Sequence, residues 1–99
     1  MNKTYISLSS LAMDLKRAAL GYYSGSFNVA EKFLNEANKR EKEINKNSVK
    51  PNIRRILIKL EKLTRHKDKK SVAEDFLMYS ILLQNASLKL NDQYLKKRT

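Results

Sequence analysis

The residues best suited to chemistry in this sequence are basic side chains spaced one helical turn apart. Arg55, Lys59 and Lys62 follow one another at intervals of four and three residues, shortly after Pro51. Residues three or four apart lie on the same side of a helix, so these cations would form one row along its surface. Such a row suits the regular negative charges of a phosphate backbone or an acidic helix. The pattern therefore indicates an anionic partner.

Further basic residues extend this row at both of its ends. The candidate binding residues for nucleic acid or an acidic partner are Lys50, Arg54, Arg55, Lys59, Lys62, Arg65, Lys69 and Lys70. Like charges four residues apart on a helix repel, so an unopposed row costs folding free energy that a bound anion would offset. An ordinary solvated helix face is the alternative interpretation of the same pattern.

The net charge of the chain is concentrated in its middle third. The 99 residues include 21 basic and 10 acidic side chains, which gives a net charge of +11 and a pI near 10.0. Residues 39–70 alone contain 13 of the basic and four of the acidic side chains. A basic stripe of this kind favours nucleic acid as the partner. We therefore predict a small accessory subunit of a complex in replication, transcription or RNA processing, which contacts the phosphate backbone through its third helix.

Four apolar residues are candidates for a protein interface instead. Ile58 falls in the middle of the cationic row, although single exposed aliphatic residues are common on protein surfaces. Leu77, Ile81 and Leu88 form a second apolar row on the fourth predicted helix. Such a row, if the bundle leaves it uncovered, favours self-association or a docked protein. A homodimer, or a module that binds an acidic protein, is therefore the main alternative function.

Catalytic motifs are absent from the sequence. The chain has no cysteine, one histidine (His66), no glycine-rich phosphate loop and no metal-binding pattern. The acidic pairs Glu41 with Glu43 and Glu74 with Asp75 lack the spacing of three or four residues that would turn two carboxylates toward one site on a helix. We therefore predict that the protein is not an enzyme and that it holds no cofactor and no metal ion.

Apolar residues at spacings of three and four predict four helices. The first covers residues 5–23, and the second opens at the turn 24–26 and ends before a polar loop at 45–52. The third runs from Pro51 to about residue 66, and the fourth from Ser71 to residue 94 or 95. Ser71 and Glu74 form a capping-box pattern at the start of the fourth helix. Short connections make neighbouring helices antiparallel, so residues 1–99 are predicted to be one all-α domain. The expected fold is an up-down four-helix bundle with a largely buried, central C-terminal helix.

The first two predicted helices resemble a known family. Residues 11–19 carry Asp14 in an apolar helix, residues 23–27 form a glycine turn, and residues 30–37 open an alanine-rich helix. This hairpin resembles the opening of HEPN-type helical bundles. Members active as ribonucleases carry an arginine, four to six intervening residues and a histidine. Before His66 those arginine positions are Lys59, Leu60 and Glu61, so the resemblance implies a non-catalytic relative, such as a toxin–antitoxin component.

The apolar segments of the chain are too short to cross a membrane. The longest nearly unbroken one, residues 76–83, is far below the roughly 20 residues that a spanning helix needs. Residues 6–13 are interrupted by serines and followed by Asp14, which is unlike a signal peptide. We therefore predict a soluble, cytoplasmic protein with no membrane partner.

Overall fold

The structure, a computed structural model, is an all-α bundle of four helices, and it confirms the fold class predicted from the sequence. It describes residues 3–65 and 68–98, with their side chains except at 69, 70 and 91–98. Within these residues the helices are α1 (Lys3–Tyr23), α2 (Phe27–Glu43), α3 (Pro51–Leu63) and α4 (Lys69–Arg98), with a 3₁₀ turn (Lys46–Ser48) before α3. No strand occurs in these described ranges.

A glycine turn ends α1 and sends the chain back along it as α2. Gly25 has a φ of +79°, the left-handed region that glycine enters without steric cost. The backbone N–H of Ser26 donates to the carbonyl of Gly21 at 2.8 Å, and that of Gly25 donates to Tyr22 at 3.3 Å. These two bonds form the Schellman motif that commonly ends helices. The sequence therefore specifies this reversal locally.

Helix α1 occupies the centre of the bundle. It packs against both α2 and α4, while α3 packs against α4 and α2. Nine of its 21 residues are buried, including Leu8, Leu11 and Leu15. The prediction that the fourth helix is central is therefore wrong. The small buried residues Ala12, Ala18, Ala19 and Gly21 let α1 lie between two neighbouring helices. Among the described side chains of α4, residues 71–90, one row is buried, made of Val72, Ala73, Phe76, Ser80, Leu83 and Ser87.

Two polar contacts join α1 to α2 across the hairpin. The guanidinium Nε of Arg40 donates to Oδ2 of the buried Asp14 at 2.8 Å. The hydroxyl of Tyr22 donates to Oε1 of Glu31 at 2.6 Å. Burial of Tyr22, together with this bond to a carboxylate and the nearby negative charge, raises the pKa of its hydroxyl above the ordinary value. The Asp14–Arg40 pair and the Tyr22–Glu31 hydrogen bond thus both link α1 to α2.

The start of α4 differs from the predicted capping box. The helix begins at Lys69, and Oδ1 of Asp68 accepts a hydrogen bond from the backbone N–H of Ser71 at 3.2 Å. The Ser71 hydroxyl donates back to the Asp68 carbonyl at 2.9 Å. Asp68 is therefore the N-cap and Ser71 the third helical residue. An aspartate also interacts more favourably than a serine with the positive end of the helix dipole.

Two single substitutions test which residue caps α4. We expect Asp68→Ala to lower the free energy of unfolding by about 1 kcal/mol, because it removes the acceptor for a helix-end N–H group. Ser71→Ala keeps that acceptor and should cost less than half as much. Urea denaturation followed by circular dichroism measures both variants. Equal losses, or a larger loss for Ser71→Ala, would contradict the assignment of Asp68 as the cap.

Candidate nucleic-acid interface

Helix α3 turns one face to the core and the opposite face to solvent. Ile53, Leu57 and Leu60 are buried, and they lie three or four residues apart as the apolar stripe requires. Half a turn away, the exposed positions are Arg55, Ile58, Lys59 and Lys62. The predicted orientation of this helix is therefore confirmed for its central turns.

Three exposed cations run along the outer face of α3. Arg55, Lys59 and Lys62 form no ion pair with any side chain that the structure describes. From residue 55 to residue 62 the helix advances about 10 Å, at 1.5 Å per residue. We call these three residues the α3 ridge. An anion that approaches this side of the bundle meets three unneutralised charges in a row.

Two arginines of the candidate set have partners within the chain. Arg54 is only partly exposed, and its Nε donates to the carbonyl of Lys46 at 3.0 Å, which ties α3 to the preceding loop. Nη2 of Arg65 lies 3.3 Å from Oε1 of Glu61, which is one helical turn earlier in the chain. Exposed pairs of this kind contribute little to stability, so Arg65 stays available to a stronger anion. Arg54 holds the loop, and the three ridge residues remain the main candidates.

The other candidate residues lie at different places. Lys50 is exposed just before α3 and beside a pocket, rather than on the ridge. The side chains of Lys69 and Lys70, and all of His66, lie outside the described residues. Ile58 is 43% exposed within the cationic face. The structure thus brings together the middle of the predicted set and separates Lys50 from it.

The apolar interface candidates on α4 are partly uncovered. Ile81 is 55% exposed and Leu88 is 47% exposed, whereas Leu77 is half-buried. On α1, Ile6, Met13 and Leu20 are also exposed at intervals of seven residues, which places them along one side of that helix. These side chains leave apolar surface on two helices that pack against each other.

Sequence reasoning missed a pocket between α3 and α4. It has a volume of about 420 Å³ and is lined by Leu8, Ser48, Val49, Lys50, Asn52, Ile53, Ile56, Leu82, Asn85, Ala86, Lys89 and Leu90. These residues come from four separate segments of the chain. No single helical pattern in the sequence brings them together, so only the packed bundle reveals the pocket.

A metal centre finds no support in the part of the chain that the structure describes, since no group of three or more potential ligands occurs there. The described helices also include none that is long and apolar enough to cross a membrane. Comparison with family models, with curated proteins and with solved structures finds no match. The resemblance to HEPN-type bundles therefore stays a prediction.

Proposed function

We propose that this protein is a non-enzymatic, cytoplasmic subunit that binds nucleic acid through the phosphate backbone. The proposed contact is the α3 ridge, formed by Arg55, Lys59 and Lys62. Replication, transcription and RNA processing are the settings in which such a small accessory subunit would act. A non-catalytic HEPN-type toxin–antitoxin component is a further alternative.

Three exposed cations on one helix face carry this proposal, since none of them pairs with an acid among the described side chains. The buried acidic side chains pair with cations outside the ridge: Asp14 with Arg40, and Glu41 with Lys46. A row of cations without such pairs presents its charge to an external anion. Phosphate groups supply that charge at regular intervals along a strand.

The ridge favours contact with the backbone over recognition of base sequence. Phosphate contacts position a protein on a nucleic acid but carry no direct sequence information. Among the side chains that the structure describes, the exposed aromatic ones are Tyr23 and Phe27, which lie at the α1–α2 turn and not among the ridge cations. Stacking of bases between aromatic side chains and cations is therefore not a feature of this face. We expect similar binding to all sequences.

The test is a salt series measured by fluorescence anisotropy. Two labelled DNA duplexes of unrelated sequence should bind with the same affinity. Each phosphate neutralised on duplex DNA contributes about −0.9 to the slope of log affinity against log salt concentration. The three ridge cations should therefore give a slope of about −2.7. Equal affinities with this slope would support the proposal. An absence of binding at low salt, or a strong preference for one sequence, would contradict it.

A second candidate function is docking of a protein partner on the exposed apolar row of α4. The exposure of Ile81 and Leu88 favours it, because solvent contact with large aliphatic side chains is removed when a partner covers them. An acidic protein, or a second copy of the chain, would be the partner. An affinity pulldown with and without nuclease separates the candidates, since a protein partner remains after nuclease treatment and a nucleic-acid bridge is lost.

A further inference from the structure

The pocket between α3 and α4 has the size and composition of a small-molecule site. Its volume of about 420 Å³ falls within the range of roughly 300 to 1,000 Å³ that is typical of ligand pockets. Leu8 is fully buried at its inner side. Ile56, Ala86 and Leu90 line it and are only partly buried. Folding thus leaves several aliphatic groups around one hollow, where a ligand would complete their burial.

The pocket follows the axis of α4. Its lining on that helix extends from Leu82 to Leu90, a rise of eight residues that spans about 12 Å at 1.5 Å per residue. The facing wall comes from Val49 and Ile53, at the loop and the first turn of α3. An apolar wall of this length on α4 suits a linear chain better than a compact ring.

Cations lie at the exposed edge of this pocket. Lys50 and Lys89 are both solvent-exposed and both line it, and neither pairs with an acid among the side chains that the structure describes. The other polar side chains that line it are Ser48, Asn52 and Asn85, which are neutral hydrogen-bonding groups. The described lining contains no acidic residue. The pocket is therefore apolar inside and positive at its edge.

We propose that this pocket binds a linear amphiphile with one anionic head, of the medium-chain carboxylate class. The aliphatic chain lies along α4 among Ile56, Leu82 and Leu90, and the carboxylate lies between Lys50 and Lys89. The site is distinct from the α3 ridge, so it adds a ligand to the proposed function and does not depend on nucleic-acid binding.

Decanoate is the probe for a first experiment, below its micelle concentration and with ¹⁵N and methyl NMR of the intact chain. We expect saturable shift changes at Val49, Ile56 and Ala86, and none at Ala30, which is buried between α1 and α2. Two probes of the same chain length, neutral 1-decanol and cationic decyltrimethylammonium, test the head group. Decanoate should bind more tightly than decanol, and the cation should bind most weakly.

Substitutions then separate the head-group contact from the apolar contact. Lys50→Gln with Lys89→Gln should weaken decanoate binding about fivefold, the effect of losing two exposed charge pairs, and leave decanol binding unchanged. Lys16→Gln with Lys32→Gln, which removes two exposed lysines far from the pocket, is the matched control and should change neither. Ala86→Phe places a ring in the pocket and should abolish binding of both probes.

Three outcomes would overturn the proposal: equal affinity for all three probes, shifts spread over the whole surface, or loss of decanoate binding in the control variant. The wild-type probe comparison decides the question even if Ala86→Phe fails to fold. A variant with Arg55→Gln and Lys59→Gln distinguishes the two proposed sites. It should lose affinity for DNA and keep its affinity for decanoate, so the failure of one proposal leaves the other intact.

Discussion

Replacing Arg55 and Lys59 together by glutamate is expected to weaken binding to duplex DNA by at least about 50-fold at 0.1 M salt. Each phosphate contact contributes about 0.9 to the log–log salt slope, so the loss of two contacts lowers the slope by about 1.8. Over the tenfold range from 0.1 M to 1 M salt, this difference corresponds to nearly two decades in affinity. The introduced carboxylates add repulsion. The slope should fall in magnitude from about 2.7 to about 0.9, because only Lys62 remains. Anisotropy at four or more salt concentrations measures both quantities.

A charge-matched variant controls for net charge. Lys16→Glu with Lys32→Glu changes the total by the same amount on the exposed surfaces of α1 and α2. If local contacts at the ridge dominate, this variant should lose far less affinity and keep a slope close to that of the wild type. An equal loss in both variants would mean that the whole protein's charge, and not the ridge, attracts DNA. Circular dichroism should show that both variants remain folded.

Ile58→Ala distinguishes the protein-partner alternative at this surface. A phosphate backbone offers no apolar pocket, so removal of this half-exposed side chain should change DNA affinity by less than twofold. An acidic protein that inserts an apolar anchor between the cations would depend more strongly on Ile58 than on any single rim charge. A partner purified with the chain, and weakened chiefly by Ile58→Ala, would therefore favour the second candidate.

The sequence predicted the elements of this fold better than their arrangement. Periodic apolar spacing is a local signal, and it located all four helices and the buried face of α3. Gly25 and Pro51 marked the start of two helices for equally local reasons. The central position of α1 depends instead on how closely several helices approach one another, which no single segment encodes. The sequence favoured α4 because apolar residues occur on more than one of its faces.

In the candidate site, too, the sequence predicted the features that depend on local spacing and missed those that depend on packing. The ridge of Arg55, Lys59 and Lys62 follows from helical spacing, so the sequence was sufficient to find it. The contact of Arg54 with the Lys46 carbonyl depends on how the loop folds back. Asp68 and Ser71 are both good capping residues, and only the path of the backbone decides between them. The pocket lined by four chain segments was beyond any local pattern.

Gly21→Ala should destabilise the protein by about 1 to 3 kcal/mol, the usual cost of excess volume in a packed core. The same change within an ordinary helix stabilises by roughly 1 kcal/mol, so the sign itself is informative. A Cβ on Gly21 would lie 2.8 Å from Cβ of Ala30, 3.0 Å from its Cα and 3.1 Å from its backbone nitrogen. Backbone atoms cannot rotate away, so α1 and α2 would have to separate along the hairpin.

A double-mutant cycle shows whether the close approach of residues 21 and 30 causes the loss of stability in Gly21→Ala. Ala30→Gly removes the nearest of the three atoms, so in the Gly21→Ala background it should recover part of the lost stability, with a coupling of about 1 kcal/mol. Gly25→Ala is the matched control: it introduces strain through a positive φ, but nothing lies within 4 Å of its Cβ, so Ala30→Gly should not rescue it. Urea denaturation of the single and double variants measures each corner. Stabilisation by Gly21→Ala, or equal rescue of both glycine variants, would mean that the two helices are not held at the distance set by Gly21.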